Sequence, residues 1–104
     1  MAKYLLLYEG GSMPDTEAEQ AAAMKAWDAW FHQIGGAVAD AGNPFTPASK
    51  KVTADGSISA GSGSASGYSV LEADSLDAAA DLAKGCPVLQ GGASISVYET
   101  FEVM

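Results

Sequence analysis

His32 is the only imidazole and Cys86 the only thiol among 104 residues, so acid–base or covalent chemistry has few places to begin. His32 follows Asp28 by four positions, and on a helix the two share a ridge and could act as an acid–base unit. Counted from Trp27 at about 100° per residue, however, His32 lies about 140° around that helix. That places it toward solvent, as a surface histidine beside a surface carboxylate. Cys86 sits between Gly85 and Pro87 at a predicted helix exit, whereas a reactive thiolate is stabilised at a helix N-terminus or beside a cation. Lys84 could offset the unfavourable helix end in part, yet the position reads as a buried structural thiol. Glu72 and Glu99 fall on predicted strands and would form a carboxylate pair only if strand register set them on one face. One His, one Cys and no carboxylates at ligand spacing make no metal site, and the glycine pairs do not open a phosphate-binding helix. No catalytic residue is assigned, and no cofactor is expected.

The aromatic residues offer a binding surface instead. Trp27, Trp30 and Phe31 could wall a ligand pocket, although their helical spacing is what a core stripe requires. Tyr8, at the end of the first strand, and Asn43, after the first helix, would each add one polar group to an otherwise apolar wall. Tyr8, Trp27 and Asn43 are therefore the candidate ligand-binding residues.

These side chains need a scaffold, and hydrophobic periodicity supplies one. In Lys3 to Glu9, Tyr4, Leu6 and Tyr8 alternate with Leu5 and Leu7, so both faces are apolar and the strand belongs in the middle of a sheet covered on both sides. After a turn at Gly10–Met13 and Pro14, Thr16 and Glu19 have capping-box spacing and start a helix near Glu17. The stripe Met24, Trp27, Trp30, Phe31, Ile34, Val38 and Ala41 carries that helix about 25 residues to Gly42-Asn43-Pro44, interrupted at Gly35 and Gly36. Ser49 to Thr53, with Pro44 and Pro47 before it, suits an edge strand. Asp55-Gly56 turns the chain into residues 57–67, whose small, low-complexity composition reads as a mobile hairpin tip. Tyr68 to Ala73 alternates as a third strand. Asp74-Ser75-Leu76-Asp77 opens a second helix, which Gly85 and Pro87 stop, and Ser94 to Phe101 forms the fourth strand.

The order βαββαβ over residues 1–104 predicts one α+β domain of ferredoxin-like type. Two helices cover one face of a four-stranded antiparallel sheet whose first and third strands are central. Composition adds a requirement: hydrophobic residues are 48% of the chain, but 20 of those 50 are Ala. At about 25 cal/mol per Å² of apolar area such a core is thin, so part of the stability is expected from burying the bare sheet face against a second copy. The expected assembly is a homodimer, a dimeric α+β barrel with clefts beside each sheet.

Net charge is −8, with five Lys and no Arg against 13 acids. Residues 1–52 carry −2 and residues 53–104 carry −6. Nucleic acid is not an expected partner, because the planar guanidinium fork is missing, and anionic membrane surfaces are disfavoured too. The N-terminal apolar run of five residues is shorter than a signal peptide or a membrane span requires. A cytoplasmic protein is expected.

Four stretches carry a family resemblance: Lys3-Tyr4-Leu5-Leu6-Leu7-Tyr8; Trp27-Asp28-Ala29-Trp30-Phe31 with Gly42-Asn43-Pro44-Phe45; Gly67 to Leu76; and Gly85-Cys86-Pro87. In that order they resemble the YCII-related, DGPF-type family. The resemblance implies a dimeric α+β barrel and a cleft that binds a small molecule. It also implies, for some members, a His/Asp pair in that cleft. Here the Asp-Gly-Pro-Phe signature is Asp55-Gly56-Ser57-Ile58, the expected Cys-Pro-His is Cys86-Pro87-Val88, and a helix-borne histidine would fall near Lys25. No catalytic residue carries over. An enzyme using Asp28 with His32, or Cys86, and a non-catalytic interaction or regulatory module are the alternatives to a ligand-binding dimer.

Overall fold

The computed structural model describes residues 2–11, 16–46, 48–61 and 63–102. Its centre is β1, Ala2–Glu9, paired antiparallel with β5, Ala65–Ala73, on one side and with β6, Ser94–Glu99, on the other. Strict alternation along β1 buries Tyr4, Leu6 and Tyr8 against the helices and turns Leu5 and Leu7 to the opposite face. The register sets Leu71 beside Tyr4 and Ser69 beside Leu6, so β5 presents Ser69, Leu71 and Ala73 to the same core. Val97 and Ile95 of β6 join that face opposite Leu6 and Tyr8.

Two helices cover this face. In α1, Glu17–Ile34, the Thr16 hydroxyl accepts the Glu19 N–H at 3.1 Å, the N-terminal cap expected from the sequence. In α2, Leu76–Ala83, the Ser75 hydroxyl accepts the Ala78 N–H at 3.1 Å. Leu6, Tyr8, Trp30, Leu71, Ala83 and Cys86 form the main core, and Tyr4, Ala73 and Ala79 a second cluster. The architecture is the expected ferredoxin-like α+β fold: a four-stranded antiparallel sheet with β1 and β5 central and two helices on one side. Among the described residues no helix is long and apolar enough to cross a membrane.

Three expectations are corrected. The first helix stops at Ile34, not near Gly42: Gly35 turns out at φ +49°, and its N–H closes the last turn on the Phe31 carbonyl. Val38, read as part of the helical stripe, instead belongs to β2, Val38–Asp40, which pairs with β5 at Leu71 and Val70. Consecutive glycines let the chain leave the helix, and β-branched Val38 gains a place at the sheet edge. The edge strand is therefore β2, and the sheet order is β2-β5-β1-β6. The predicted edge segment forms β3, Lys50–Val52, and pairs outside the main sheet with β4, Ile58–Ala60. Residues 57–67 accordingly hold strand β4 and the start of β5, not a loose tip. Polar turn chemistry ties them down: the Asp55 carboxylate accepts the Ser57 N–H at 2.9 Å and the Thr53 hydroxyl at 2.6 Å. Met13, Pro14, Pro47 and Ser62, named in the expected turns and tip, lie outside the described residues.

Gly42 is the backbone position the fold constrains most. It has φ +74°, and a Cβ there would lie 1.8 Å from the Tyr68 carbonyl oxygen. Gly36 has open space around it. Gly42→Ala should therefore lower stability by about 2–4 kcal/mol, and Gly36→Ala by less than about 0.5 kcal/mol, in urea unfolding.

Candidate functional site

The predicted binding residues come together at the end of β1 where the strand leaves the sheet. Trp27 projects from α1 and meets the Tyr8 ring edge-on, with centroids 5.6 Å apart. Trp30 and Phe31 continue the cluster, at 5.9 Å and 5.7 Å from Trp27. Helical spacing puts all three on one side of α1, and Trp30 is fixed there because its indole N–H donates to the Leu82 carbonyl at 3.1 Å. Trp27 remains half-buried while Tyr8 and Trp30 are buried. Asn43 approaches from the segment after β2, where its backbone carbonyl accepts the Tyr68 N–H at 3.2 Å. The junction is Gly67, whose absent side chain would meet Pro44, the Asn43 carbonyl and the Tyr8 ring at 3.1–3.3 Å.

Beneath the aromatic cluster runs a buried polar chain. The Tyr8 hydroxyl donates to Ser69 Oγ at 2.7 Å, and Ser69 donates to the Ala41 carbonyl at 2.7 Å. The Cys86 thiol lies against the same hydroxyl. Burial drives the ionisation of Tyr8 well above the ordinary phenol range and pushes the Cys86 thiol up as well, the hydrogen bond to Tyr8 only partly opposing the latter. Burial therefore favours the neutral form of both groups, and the hydrogen-bonded chain fixes the orientation of Tyr8. Sequence reasoning missed Ser69, Ala41 and Gly67. The available signal was a serine on the inward face of an alternating strand, where a hydroxyl needs a partner.

The other candidates lie apart. Asp28 and His32 are exposed on α1 and, among the described residues, form no ion pair. Glu72 faces Lys3 across β5–β1 while Glu99 faces Tyr4 across β6–β1, so alternation puts the two carboxylates on opposite faces and they are not a pair. No group of three or more His, Cys, Asp or Glu converges for a metal ion among the described residues. An open groove of about 400 Å³ lies at the other end of β5, walled by Ala37, Glu72, Ala73, Asp74, Asp81 and Leu82. A smaller one of about 180 Å³ runs between α2 and β6 beside Lys84, Leu89 and Val97. Neither groove is lined by Tyr8, Trp27 or Asn43, nor by His32 or Cys86.

No family model matches this sequence. No curated protein matches it either. Among solved structures, the fold is similar to 5-chloro-2-hydroxyhydroquinone dehydrochlorinase from Burkholderia phenoliruptrix AC1100, determined in complex with 2,5-dihydroxybenzoquinone. The TM-score is 0.55 at 16% identity, over 95% of this chain and 93% of that one. A likeness at that identity carries the fold and not the activity.

The buried hydroxyl makes a prediction about pH. Tyr8 ionises higher in the fold than in the unfolded chain, so its contribution is present below about pH 10 and is lost as pH rises past it. Urea midpoints should fall between about pH 10 and 11, and Tyr8→Phe should flatten that fall while costing about 1 kcal/mol at pH 7.

Proposed function

We propose that the chain is a YCII-related, DGPF-type single domain that works in the cytoplasm as a homodimer and binds a small, flat molecule at the Trp27–Asn43 end of the helix–sheet seam. The observation that carries the dimer is the open face of the sheet. Leu5, Leu7, Tyr68 and Val70 stand there half-buried and Tyr98 is 51% exposed, while both described α-helices pack on the other face. The subunit measures 18 Å in its thinnest direction and has a radius of gyration of 15.2 Å, against about 13 Å for a compact domain near this length. Both figures suit half of a larger particle, and a second sheet packed on this face would bury the apolar side chains of both copies.

For the ligand, half-buried Trp27 offers an aromatic surface and exposed Asn43 an amide, while Tyr8 is held behind them by Ser69. A quinone bound to the structural neighbour fits a planar ligand class, and we use 2,5-dihydroxybenzoquinone as the probe. A second reading, a non-catalytic interaction module, draws on the way Tyr8 and Trp30 fill the seam.

Two measurements test these readings. In proton–nitrogen correlation spectra, millimolar 2,5-dihydroxybenzoquinone should shift the Trp27 indole signal saturably, and Asn43→Ala, which leaves the core intact, should weaken binding about 5- to 20-fold. An unmoved indole would leave the interaction module as the better reading. Leu7→Asp, which places a charge on the open face, should yield a folded particle of about 10.6 kDa by sedimentation equilibrium, half the mass expected of the native protein.

A further inference from the structure

The β3–β4 hairpin has no evident work to do within its own subunit. Every residue from Ala48 to Ala60 is exposed, and neither strand pairs with the main sheet. Two-stranded hairpins are marginal in water on their own, yet this one is carefully built. Lys50 pairs with Ala60, Lys51 with Ser59 and Val52 with Ile58. Thr53, Asp55 and Ser57 lock the tip, where Gly56 takes φ +87°.

Alternation gives the hairpin two unlike faces. One carries Lys50, Val52, Ile58 and Ala60, and the other Lys51 and Ser59. Val52 and Ile58 stand directly opposite each other and are 66% and 68% exposed, an apolar pair that a soluble edge would ordinarily avoid. Charge separates the hairpin from the rest of the molecule as well. Residues 48–61 hold Lys50 and Lys51 against Asp55, a net of +1, so the remainder of the chain carries −9. The surface complementary to this hairpin is the body of the same protein.

Its root points to which copy. Gly61 donates to the Ser49 carbonyl at 3.1 Å and Phe45 to the Ser66 carbonyl at 2.8 Å, anchoring the hairpin at the Tyr8 end of the sheet. The Phe45 ring stacks on Tyr68, centroids 5.9 Å apart, and Tyr68 belongs to the open face. The hairpin thus leaves the subunit from the margin of the face proposed to meet a second copy.

We infer that residues 48–61 are an arm that laps onto the second copy, laying Lys50, Val52 and Ile58 on its acidic body. The inference rests on the dimer proposed above, and the test separates the two. Hydrogen exchange of the native protein is read over the arm at concentrations above and below dimer dissociation. Sedimentation equilibrium is then run on Val52→Ser/Ile58→Ser, on Lys50→Glu/Lys51→Glu, and on a chain in which two glycines join Ser49 to Gly61. The expected result is arm protection of at least about 100-fold that vanishes on dissociation, and dimers weakened at least tenfold in each variant, with the salt dependence reduced in the lysine pair. A native dimer whose arm exchanges freely and whose variants dimerise normally overturns the arm and leaves the dimer standing. Arm protection that persists in the monomer also overturns it, since the arm would then dock on its own subunit. A native monomer at every concentration overturns the dimer reading, and the arm with it.

Discussion

The structure depends on one strand being apolar on both sides. Five consecutive large side chains, Tyr4 to Tyr8, cannot all reach a single core, because a strand sends alternate residues to opposite faces. The helices answer for Tyr4, Leu6 and Tyr8, and much of the fold follows from that demand. Strand β5 pairs along the whole length of β1 and brings Ser69 and Leu71 to the same interior, α2 packs small Ala79 and Ala83 close to the sheet, and α1 spans the remaining gap with tryptophans. Leu5 and Leu7, on the opposite face, are left half-buried.

The aromatic seam is a consequence of that thinness. Where a helix rich in alanine must cover a sheet, a few large rings have to fill the space between them. Trp27 and Trp30 do so, with Gly85 opposite Trp30 leaving room for the indole. Filling the gap also buries polar atoms, and the Tyr8–Ser69–Ala41 chain satisfies them. Among the described residues no buried side-chain nitrogen or oxygen is left without a partner. Burial within this closed network disfavours ionisation of both the Tyr8 phenol and the Cys86 thiol.

Much of this was legible in the residues. Alternation in β1, β5 and β6, the caps at Thr16 and Ser75, and the stop at Gly85-Cys86-Pro87 each arise from local chemistry, although β5 begins earlier than expected, at Ala65 and not Tyr68, and β6 ends at Glu99 and not Phe101. The solvent-facing position of His32 follows from periodicity alone, whereas the partner that Ser69 holds on its inward face does not. The errors lie where two local signals competed. Val38 continues the helical stripe by spacing, but the glycines before it break the helix and its branched side chain suits the sheet edge. Lys50–Val52 has the pattern of an edge strand, but its partner proved to be Ile58–Ala60 in a segment whose serines and glycines disguise a strand. The Tyr8–Asn43 meeting across Gly67 was out of reach, since it depends on strand register, which no local pattern sets.

Small-angle X-ray scattering over a dilution series tests the central claim, that the bare face of the sheet is covered by a second copy, most directly. The account predicts a forward-scattering mass about twice 10.6 kDa at tens of micromolar and a particle clearly thicker than the 18 Å subunit. A mass of one chain at every concentration, with a radius of gyration near 15.2 Å, would contradict it and leave Leu5, Leu7 and Val70 facing water.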